Sequence, residues 1–153
     1  ARRIIVVGSS AEKLAQAADL GATHLINRHA EEWGKAVFKL TEREGVDMVV
    51  DNVGAATYHG SLRSLKKGGR LLTVGNTSGA EFTLDNRLIF GKHLTLIGST
   101  MGPQGDFAEV MQLVFSGRLQ PVIDTIYPLD EALTALHRLA EGEVMGKLIV
   151  NCE

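Results

Sequence analysis

The sequence predicts an α/β fold, a doubly wound parallel sheet with helices between its strands. Three runs carry this prediction: residues 46–54 (VDMVVDNVG), 69–79 (GRLLTVGNTSG) and 94–102 (LTLIGSTMG). Each is an apolar, β-branched run that ends in small polar residues and glycine, as a buried parallel strand does where it opens into a ligand crevice. Helical patterns separate the strands, which is typical of strand-helix-strand units.

The first part of the chain predicts two strands and two helices. Residues 3–7 (RIIVV) form a strand, and Ser9 or Ser10 can cap the helix that follows and ends at Gly21. A second short strand covers residues 23–26, and an amphipathic helix covers residues 31–43.

The run over residues 46–54 is followed by a predicted helix over residues 56–65, and the cationic last turn and glycines at 66–69 favour its C-terminal end there. Phe107, Met111 and Phe115 share a helical stripe, which is most simply core. The other predicted elements are a loop with a short helix at 78–92, an extended segment at 121–127, a helix capped by Asp130, and a closing strand KLIVNC.

Composition indicates one globular domain and excludes several classes of partner. The chain has 153 residues, of which 44% are hydrophobic, and a net charge of -2 with both signs interspersed. This charge argues against nucleic acid or an anionic membrane as a partner, and no apolar run is long enough to span a bilayer. The single cysteine, Cys152, argues against a disulfide framework and favours a reducing cytoplasm.

The order of these signals resembles the cofactor-binding half of the medium-chain dehydrogenase/reductase superfamily, in its zinc-type alcohol dehydrogenase and quinone oxidoreductase branch. The resemblance rests on GSSAEKLAQAADLGATHLIN, EGVDMVVDNVG, SLKKGGRLLTVGNTSG, LTLIGSTMG and IYPLDEALTALHRLAEGEVMGKLIV, in the family's order. It implies a Rossmann-like sheet that lacks its first βα unit, because the family's glycine-rich turn is absent from these residues. Residues 1–153 are then a partial dinucleotide-binding domain, separated from an upstream catalytic domain and its metal ligands.

The implied function is that of an NAD(P)-dependent oxidoreductase that transfers a hydride between nicotinamide and an alcohol, a carbonyl or a quinone. Zinc is possible only in the missing upstream domain, and the chain alone is expected to be inactive. One alternative is a non-catalytic dimerisation or binding module, since the turn that would hold the pyrophosphate is missing. Another is a self-contained flavodoxin-like domain with RIIVV as its first strand, although a single glycine at Gly8 disfavours it.

The end of the first strand suggests which cofactor is used. The resemblance places Gly8-Ser9-Ser10 where an NAD-preferring domain carries an acidic residue, and no acid is present. Together with Lys13 and Arg28, the two serines favour the 2′-phosphate of NADP, with NAD as the alternative. The simpler interpretation is that Ser10 only caps a helix and Lys13 is solvated.

Three further turns are predicted to touch the cofactor. By resemblance, Asn52, Val53 and Gly54 lie beside the adenosine ribose, although Asn52 can equally cap its own turn, and Asp51 is either a structural hydrogen-bonding group or a ligand contact. The turns placed near the nicotinamide contain Gly75, Asn76, Thr77, Gly98, Ser99 and Thr100. Lys147 resembles a lysine that reaches the cofactor phosphates, or it only solubilises an edge strand.

No catalytic residue and no metal ligand is predicted in this chain, because its histidines share no ligand spacing. The strand over residues 94–99 is expected to form a homodimer, since family members join late strands edge to edge. Loss of the first strand is expected to leave two unpaired edges in the middle of the sheet.

Overall fold

The computed structural model describes residues 2–152. Within these residues the chain divides into two compact units, one that ends at Thr100 and one that begins at Met101. All four strand pairings are parallel, and helices alternate with strands along the chain. The predicted α/β class is therefore confirmed. None of the helices within residues 2–152 combines the length and the apolar character that crossing a membrane requires.

The first sheet of the N-terminal unit has two strands. Its elements are β1 (Ile5–Gly8), α1 (Ala11–Asp19), β2 (His24–Asn27) and α2 (Trp33–Leu40). The hydroxyl of Ser10 accepts a hydrogen bond of 3.2 Å from the backbone N–H of Lys13, so the predicted N-cap of the first helix is confirmed. Ile26 on β2 is almost fully buried.

The second sheet of this unit has three strands in the order β3-β4-β5. Its elements are β3 (Val46–Asp51), α3 (Tyr58–Ser64), β4 (Leu65–Thr73), α4 (Asn86–Lys92) and β5 (Thr95–Gly98). Its core consists of Tyr58, Leu62, Leu65 and Leu71, with α3 packed on the sheet. The β5 strand is an edge, because within residues 2–152 it pairs only with β4.

The two sheets of the N-terminal unit are not joined to each other. Within the described residues β1 pairs only with β2, and β3 pairs only with β4. The open sides of β1 and β3 line one cleft, which separates the two sheets. The expected pair of open edges is therefore present. A continuous sheet would require one more strand in this place.

The C-terminal unit contains one parallel strand pair. Its elements are α5 (Gln104–Phe115), β6 (Ile123–Pro128), a 3₁₀ turn (Leu129–Glu131), α6 (Ala132–Ala140) and β7 (Lys147–Asn151). Arg138 of α6 forms an ion pair of 2.8 Å with Asp124 of β6. Asp124 also accepts a hydrogen bond of 2.8 Å from the backbone N–H of Met145. These contacts connect α6, β6 and the entry to β7.

Three predictions about local structure are wrong. The helix after β3 ends at Ser64, and the Lys-Lys-Gly-Gly segment lies inside β4. The reason is that Leu65 is fully buried and leaves the helix to join the sheet. Phe107 and Phe115 are exposed, at 65% and 80%, so their stripe is not core within the described chain. The N-cap position of helix α6 is Glu131, whose side chain makes no capping hydrogen bond, and the predicted cap Asp130 lies in the 3₁₀ turn.

Candidate functional site

A cleft opens at the carboxyl ends of β3, β4 and β5, where parallel sheets bind their ligands. Its volume is about 610 Å³, which is within the size range of small-molecule sites. Its lining residues lie at the ends of these strands, in the segments that follow them and at the start of α3: Gly54, Tyr58, Thr73, Val74, Gly75, Asn76, Ala80, Phe82, Gly98, Ser99 and Thr100.

The first wall of this cleft is held by the buried carboxylate of Asp51, at the end of β3. Its Oδ1 accepts hydrogen bonds from the backbone N–H groups of Val53 at 2.9 Å and Gly54 at 3.0 Å. The Oδ2 atom accepts bonds from the hydroxyls of Ser61 at 2.6 Å and Thr57 at 2.9 Å. The carboxylate therefore fixes the turn after β3 against the first turns of α3.

Two opposing effects set the pKa of Asp51. Burial alone would raise this pKa, because it disfavours the charged form. The hydrogen bonds from Ser61, Gly54, Val53 and Thr57 outweigh burial and hold the pKa of Asp51 below its ordinary value. The group is therefore ionised at neutral pH, and its lone pairs are occupied by the protein. This arrangement supports the structural interpretation of Asp51.

A second layer of contacts ties the loop after β4 to the turn after β3. The backbone N–H of Ser78 donates to the carbonyl of Val53 at 2.8 Å, and the Ser78 hydroxyl accepts a bond of 2.9 Å from the N–H of Ala56. The N–H of Ala55 donates to the carbonyl of Gly79 at 3.1 Å. These hydrogen bonds join the two loops into one rim of the cleft.

The glycines at positions 54, 75 and 98 of the cleft have different physical roles. A Cβ at Gly54 would lie 2.7 Å from the carbonyl oxygen of Gly79, and its φ of +89° favours glycine in any case. At Gly75 a Cβ would lie 2.9 Å from the carbonyl oxygen of Asn52. At Gly98, by contrast, a Cβ would meet no protein atom within 4 Å. The chain's own packing therefore requires the first two glycines, whereas Gly98 only keeps space open in the cleft.

Sequence reasoning missed the aromatic part of the site. Tyr58 and Phe82 lie with ring centroids 4.6 Å apart at an interplanar angle of 43°, and both line the cleft. Burial, together with the neighbouring charge of Asp51, raises the pKa of the Tyr58 hydroxyl. The sequence carries little signal for this pair, because Phe82 lies in an irregular segment and meets Tyr58 only through the fold.

The structure brings part of the predicted site together. The cleft contains Gly54, Gly75, Asn76, Gly98, Ser99 and Thr100. Thr77 does not line it, and its hydroxyl lies 3.4 Å from the carbonyl oxygen of Asn52. Asn52, Val53 and Arg28 line the cleft between the two sheets instead.

The predicted phosphate-binding residues lie elsewhere. Ser9 and Ser10 follow β1, and Ser10 serves as the helix cap described above. Lys13 lies in the first turn of α1. Lys147 begins β7 in the C-terminal unit, where its backbone N–H donates to the carbonyl of Val122 at 2.9 Å. The contacts of these residues do not show whether they bind a phosphate group, so phosphate binding stays a prediction.

The described residues do not fit a metal centre. Among residues 2–152 no three histidine, cysteine, aspartate or glutamate side chains come together in a group that could hold a metal ion.

Known relatives match almost the whole chain in sequence. An NAD-dependent alcohol dehydrogenase of Sulfolobus acidocaldarius is 35% identical, over 96% of this chain and 42% of the relative. The quinone oxidoreductase-like protein 2 of Bos taurus is 28% identical, over 97% of this chain and 45% of the relative. The chain therefore spans less than half the length of these curated relatives.

Solved structures give the same result. The crystal structure of an NAD-dependent alcohol dehydrogenase matches 99% of this chain and 44% of its own, with 34% identity and a TM-score of 0.90. A 2-octenoyl-CoA carboxylase reductase in complex with NADP and 2-octenoyl-CoA matches 97% of this chain and 37% of its own, with 28% identity and a TM-score of 0.87. The sequence model of the zinc-binding dehydrogenases matches residues 1–116. The chain belongs to the zinc-binding dehydrogenase family, within the medium-chain dehydrogenase/reductase superfamily.

Proposed function

We propose that this chain is the cofactor-binding portion of an NAD(P)-dependent oxidoreductase of the alcohol dehydrogenase or quinone oxidoreductase type. The observation that carries the proposal is the cleft at the carboxyl ends of β3, β4 and β5, with open space over Gly98. Backbone can approach a flat ring closely only where no Cβ intervenes. The relatives named above support the same function.

The residues of the cleft would bind and orient the nicotinamide ring. Gly98 leaves its backbone open to one face of a ring, while Asn76, Ser99 and Thr100 offer polar groups for a carboxamide. Tyr58 and Phe82 form an apolar wall that keeps water away. When bound, the cofactor supplies hydride transfer at its C4 atom, and the protein supplies position and a dry surrounding. The substrate would be a small alcohol, carbonyl compound or quinone.

NADP is the cofactor we favour, with NAD as the alternative. Ser9 and Ser10 follow β1, and Lys13 lies one turn into α1, without an acidic residue at the strand end. A ribose 2′-phosphate would there meet hydroxyl donors and positive charge, whereas the free ribose hydroxyls of NAD would lack their usual acceptor. The single exposed Cys152 is compatible with the reducing cytoplasm that we infer as the location.

Binding can be tested on the isolated chain by NMR. Nicotinamide mononucleotide, NAD⁺ and NADP⁺ are titrated separately into the isotope-labelled protein, because NMR detects even millimolar affinity. We expect all three to shift the amide signals of Gly75, Asn76, Gly98 and Ser99, with NADP⁺ alone also shifting Ser10 and Lys13. If no ligand shifts the cleft signals, the proposed site is wrong. Equal effects of NAD⁺ and NADP⁺ on Ser10 would overturn the NADP preference.

A second function, dimerisation, is favoured by the free edge of β5. Leu96 and Ile97 on this strand are each 38% exposed, and an apolar edge strand is normally paired or protected. We propose that two copies join their β5 strands through the segment Leu94 to Ser99. Analytical ultracentrifugation should show a dimer that the variant Leu96→Lys converts to monomer. A monomeric wild-type chain, or a dimer unaffected by the lysine, would contradict this.

A further inference from the structure

The side chain of Tyr58 is almost completely buried, and yet it lines the cleft at the ends of β3, β4 and β5. Its exposed fraction is 8%. It belongs to the core cluster of this sheet, together with Leu62, Leu65 and Leu71. Its ring also lies beside that of Phe82, with centroids 4.6 Å apart. Close packing of this kind leaves a side chain few rotamers, so the hydroxyl of Tyr58 has a nearly fixed position.

The hydroxyl of Tyr58 forms no hydrogen bond with any group of residues 2–152. None of the completely enclosed side-chain oxygen or nitrogen atoms in this part of the chain lacks a partner, so the Tyr58 oxygen is not completely enclosed. Its accessible side faces the cleft, because Tyr58 lines the cleft and packs elsewhere against the core. A largely buried tyrosine hydroxyl usually has a hydrogen-bonding partner. Here that partner has to come from the molecule that occupies the cleft.

The neighbouring carboxylate of Asp51 influences this hydroxyl without bonding to it. The two carboxylate oxygens are occupied by four other donors of the protein, as described above. Burial and the charge of Asp51 raise the pKa of the Tyr58 hydroxyl, so the group keeps its proton at neutral pH and can donate it to a hydrogen bond. The same charge disfavours an anionic partner such as a phosphate, because like charges repel. The hydroxyl therefore favours a neutral acceptor.

A nicotinamide ring carries one neutral acceptor, the oxygen of its carboxamide. The ring nitrogen is bonded to the ribose and accepts no hydrogen bond. If the oxygen is held by Tyr58, the NH₂ group of the carboxamide remains for the acceptor oxygens of Asn76, Ser99 or Thr100, which line the same cleft. A ring that is held at both ends of its carboxamide cannot rotate about the bond to the ribose. It then presents one face of C4 to the substrate.

We propose that Tyr58 is a specificity-determining residue of this cleft, whose hydroxyl donates a hydrogen bond to the carboxamide oxygen of a bound nicotinamide ring. This inference rests on the function proposed above, because it concerns the same cleft. It assigns two roles to one side chain. The ring of Tyr58 packs with Phe82 and excludes water, for which a phenylalanine would serve equally well. The hydroxyl selects a ring that carries a good acceptor at the carboxamide position.

The two tyrosines of the chain provide a variant and its matched control. Tyr58→Phe removes one oxygen that bonds to no group of residues 2–152, so the midpoint of urea unfolding should not fall. Tyr127→Phe also removes one hydroxyl, but this group lies in the C-terminal unit and accepts a hydrogen bond of 3.2 Å from Arg138. The control should lose some stability and keep its affinity for nicotinamide, because Tyr127 does not line the cleft.

The test is an NMR titration of the purified 153-residue chain and the two variants. The probes are nicotinamide mononucleotide and thionicotinamide mononucleotide, in which sulfur, a weaker acceptor, replaces the carboxamide oxygen. Amide shifts of Gly98 and Ser99 give the affinity, and tyrosine labelled with ¹³C at Cζ reports on the hydroxyl. We expect Tyr58→Phe to lower the affinity for nicotinamide mononucleotide about threefold to tenfold. Its affinity for the sulfur analogue should match that of the wild type, and the Cζ signal of Tyr58 alone should move in the wild type.

Four results would overturn the role of Tyr58, and they separate it from the proposed site. If nicotinamide mononucleotide shifts no cleft amide of the wild type, the site and the contact are both wrong. If it binds the wild type and Tyr58→Phe equally well, the site stands and the contact is wrong. An equal loss of affinity for both probes shows that the hydroxyl does not bond to the carboxamide oxygen. A loss of affinity that accompanies a lower urea midpoint shows that the hydroxyl acts only through the fold.

Discussion

The hydroxyl of Ser61 donates a hydrogen bond of 2.6 Å to Oδ2 of Asp51, and this contact joins the end of β3 to α3. Asp51 is only 4% exposed and Ser61 only 3%. The groups that surround the carboxylate all donate hydrogen bonds to it. The turn that forms one wall of the cleft proposed for nicotinamide therefore depends on both carboxylate oxygens acting as acceptors.

The variant Asp51→Asn should therefore destabilise the chain. One acceptor oxygen becomes an NH₂ group that faces other donors, which should lower the free energy of unfolding by about 1–3 kcal/mol. Urea denaturation measures the loss. The control is Asp47→Asn on the same strand, where an exposed ion pair with Lys66 is removed and a change below about 1 kcal/mol is expected. Equal losses in the two variants would contradict the role of Asp51.

Acid should weaken the wild-type chain partly through the same carboxylate. The pKa of Asp51 is lowered on folding. Its contribution to the free energy of unfolding is therefore present in full above the unfolded-state pKa of about 4, and it is lost as the pH falls through the lower folded-state value. The difference in unfolding free energy between wild type and Asp51→Asn should narrow when urea titrations move from about pH 7 to about pH 2.5. A difference that does not change with pH would exclude this linkage.

Substitution of Gly98 should separate binding from folding. In Gly98→Ala the new methyl group meets no protein atom within 4 Å, so stability should stay within about 0.5 kcal/mol. The methyl group would occupy the space proposed for the nicotinamide, and affinity for nicotinamide mononucleotide should fall about tenfold. Gly91→Ala is the matched control, because its methyl group is also unobstructed and lies in α4. Affinity that falls equally in both variants would argue against the site.

A pair of helix glycines tests how α2 packs on α3. A Cβ at Gly60 would overlap the ring of Trp33, so Gly60→Ala should destabilise the chain by about 1–3 kcal/mol and shift the emission of Trp33. Gly34→Ala lies within α2, and its methyl group meets nothing within 4 Å. This control should be neutral or more stable by up to about 1 kcal/mol, because alanine favours a helix. Denaturation of the two variants side by side distinguishes packing from helix propensity.

Removal of the Lys92 charge should weaken the end of α3. Its ammonium donates to the carbonyls of Arg63 at 2.6 Å and Leu65 at 2.7 Å, and burial lowers its pKa. Lys92→Met keeps the apolar stem and loses both bonds, so we expect a loss of about 1–2 kcal/mol in thermal or urea unfolding. Lys67→Met, on the exposed surface of β4, should change stability little. A neutral Lys92→Met would refute the capping role.

The strands and their parallel order could be predicted from the sequence, because an apolar, β-branched run that ends in glycine is typical of a buried parallel strand. The boundary at Ser64 could not, because Leu65 joins the sheet through contacts made only in the folded core. Tyr58 and Phe82 were missed for the same reason. Gly54 and Gly98 look alike in sequence, but only the fold shows that one is required by its neighbours and the other leaves space.

The open edges of β1, β3 and β5 also determine how this chain behaves at high concentration. Exposed strand edges pair with one another without regard to sequence, so the isolated chain should aggregate more readily as protein concentration rises. Recovery of soluble protein after dilution from urea should then fall as the protein concentration rises, even where the folded state itself is stable.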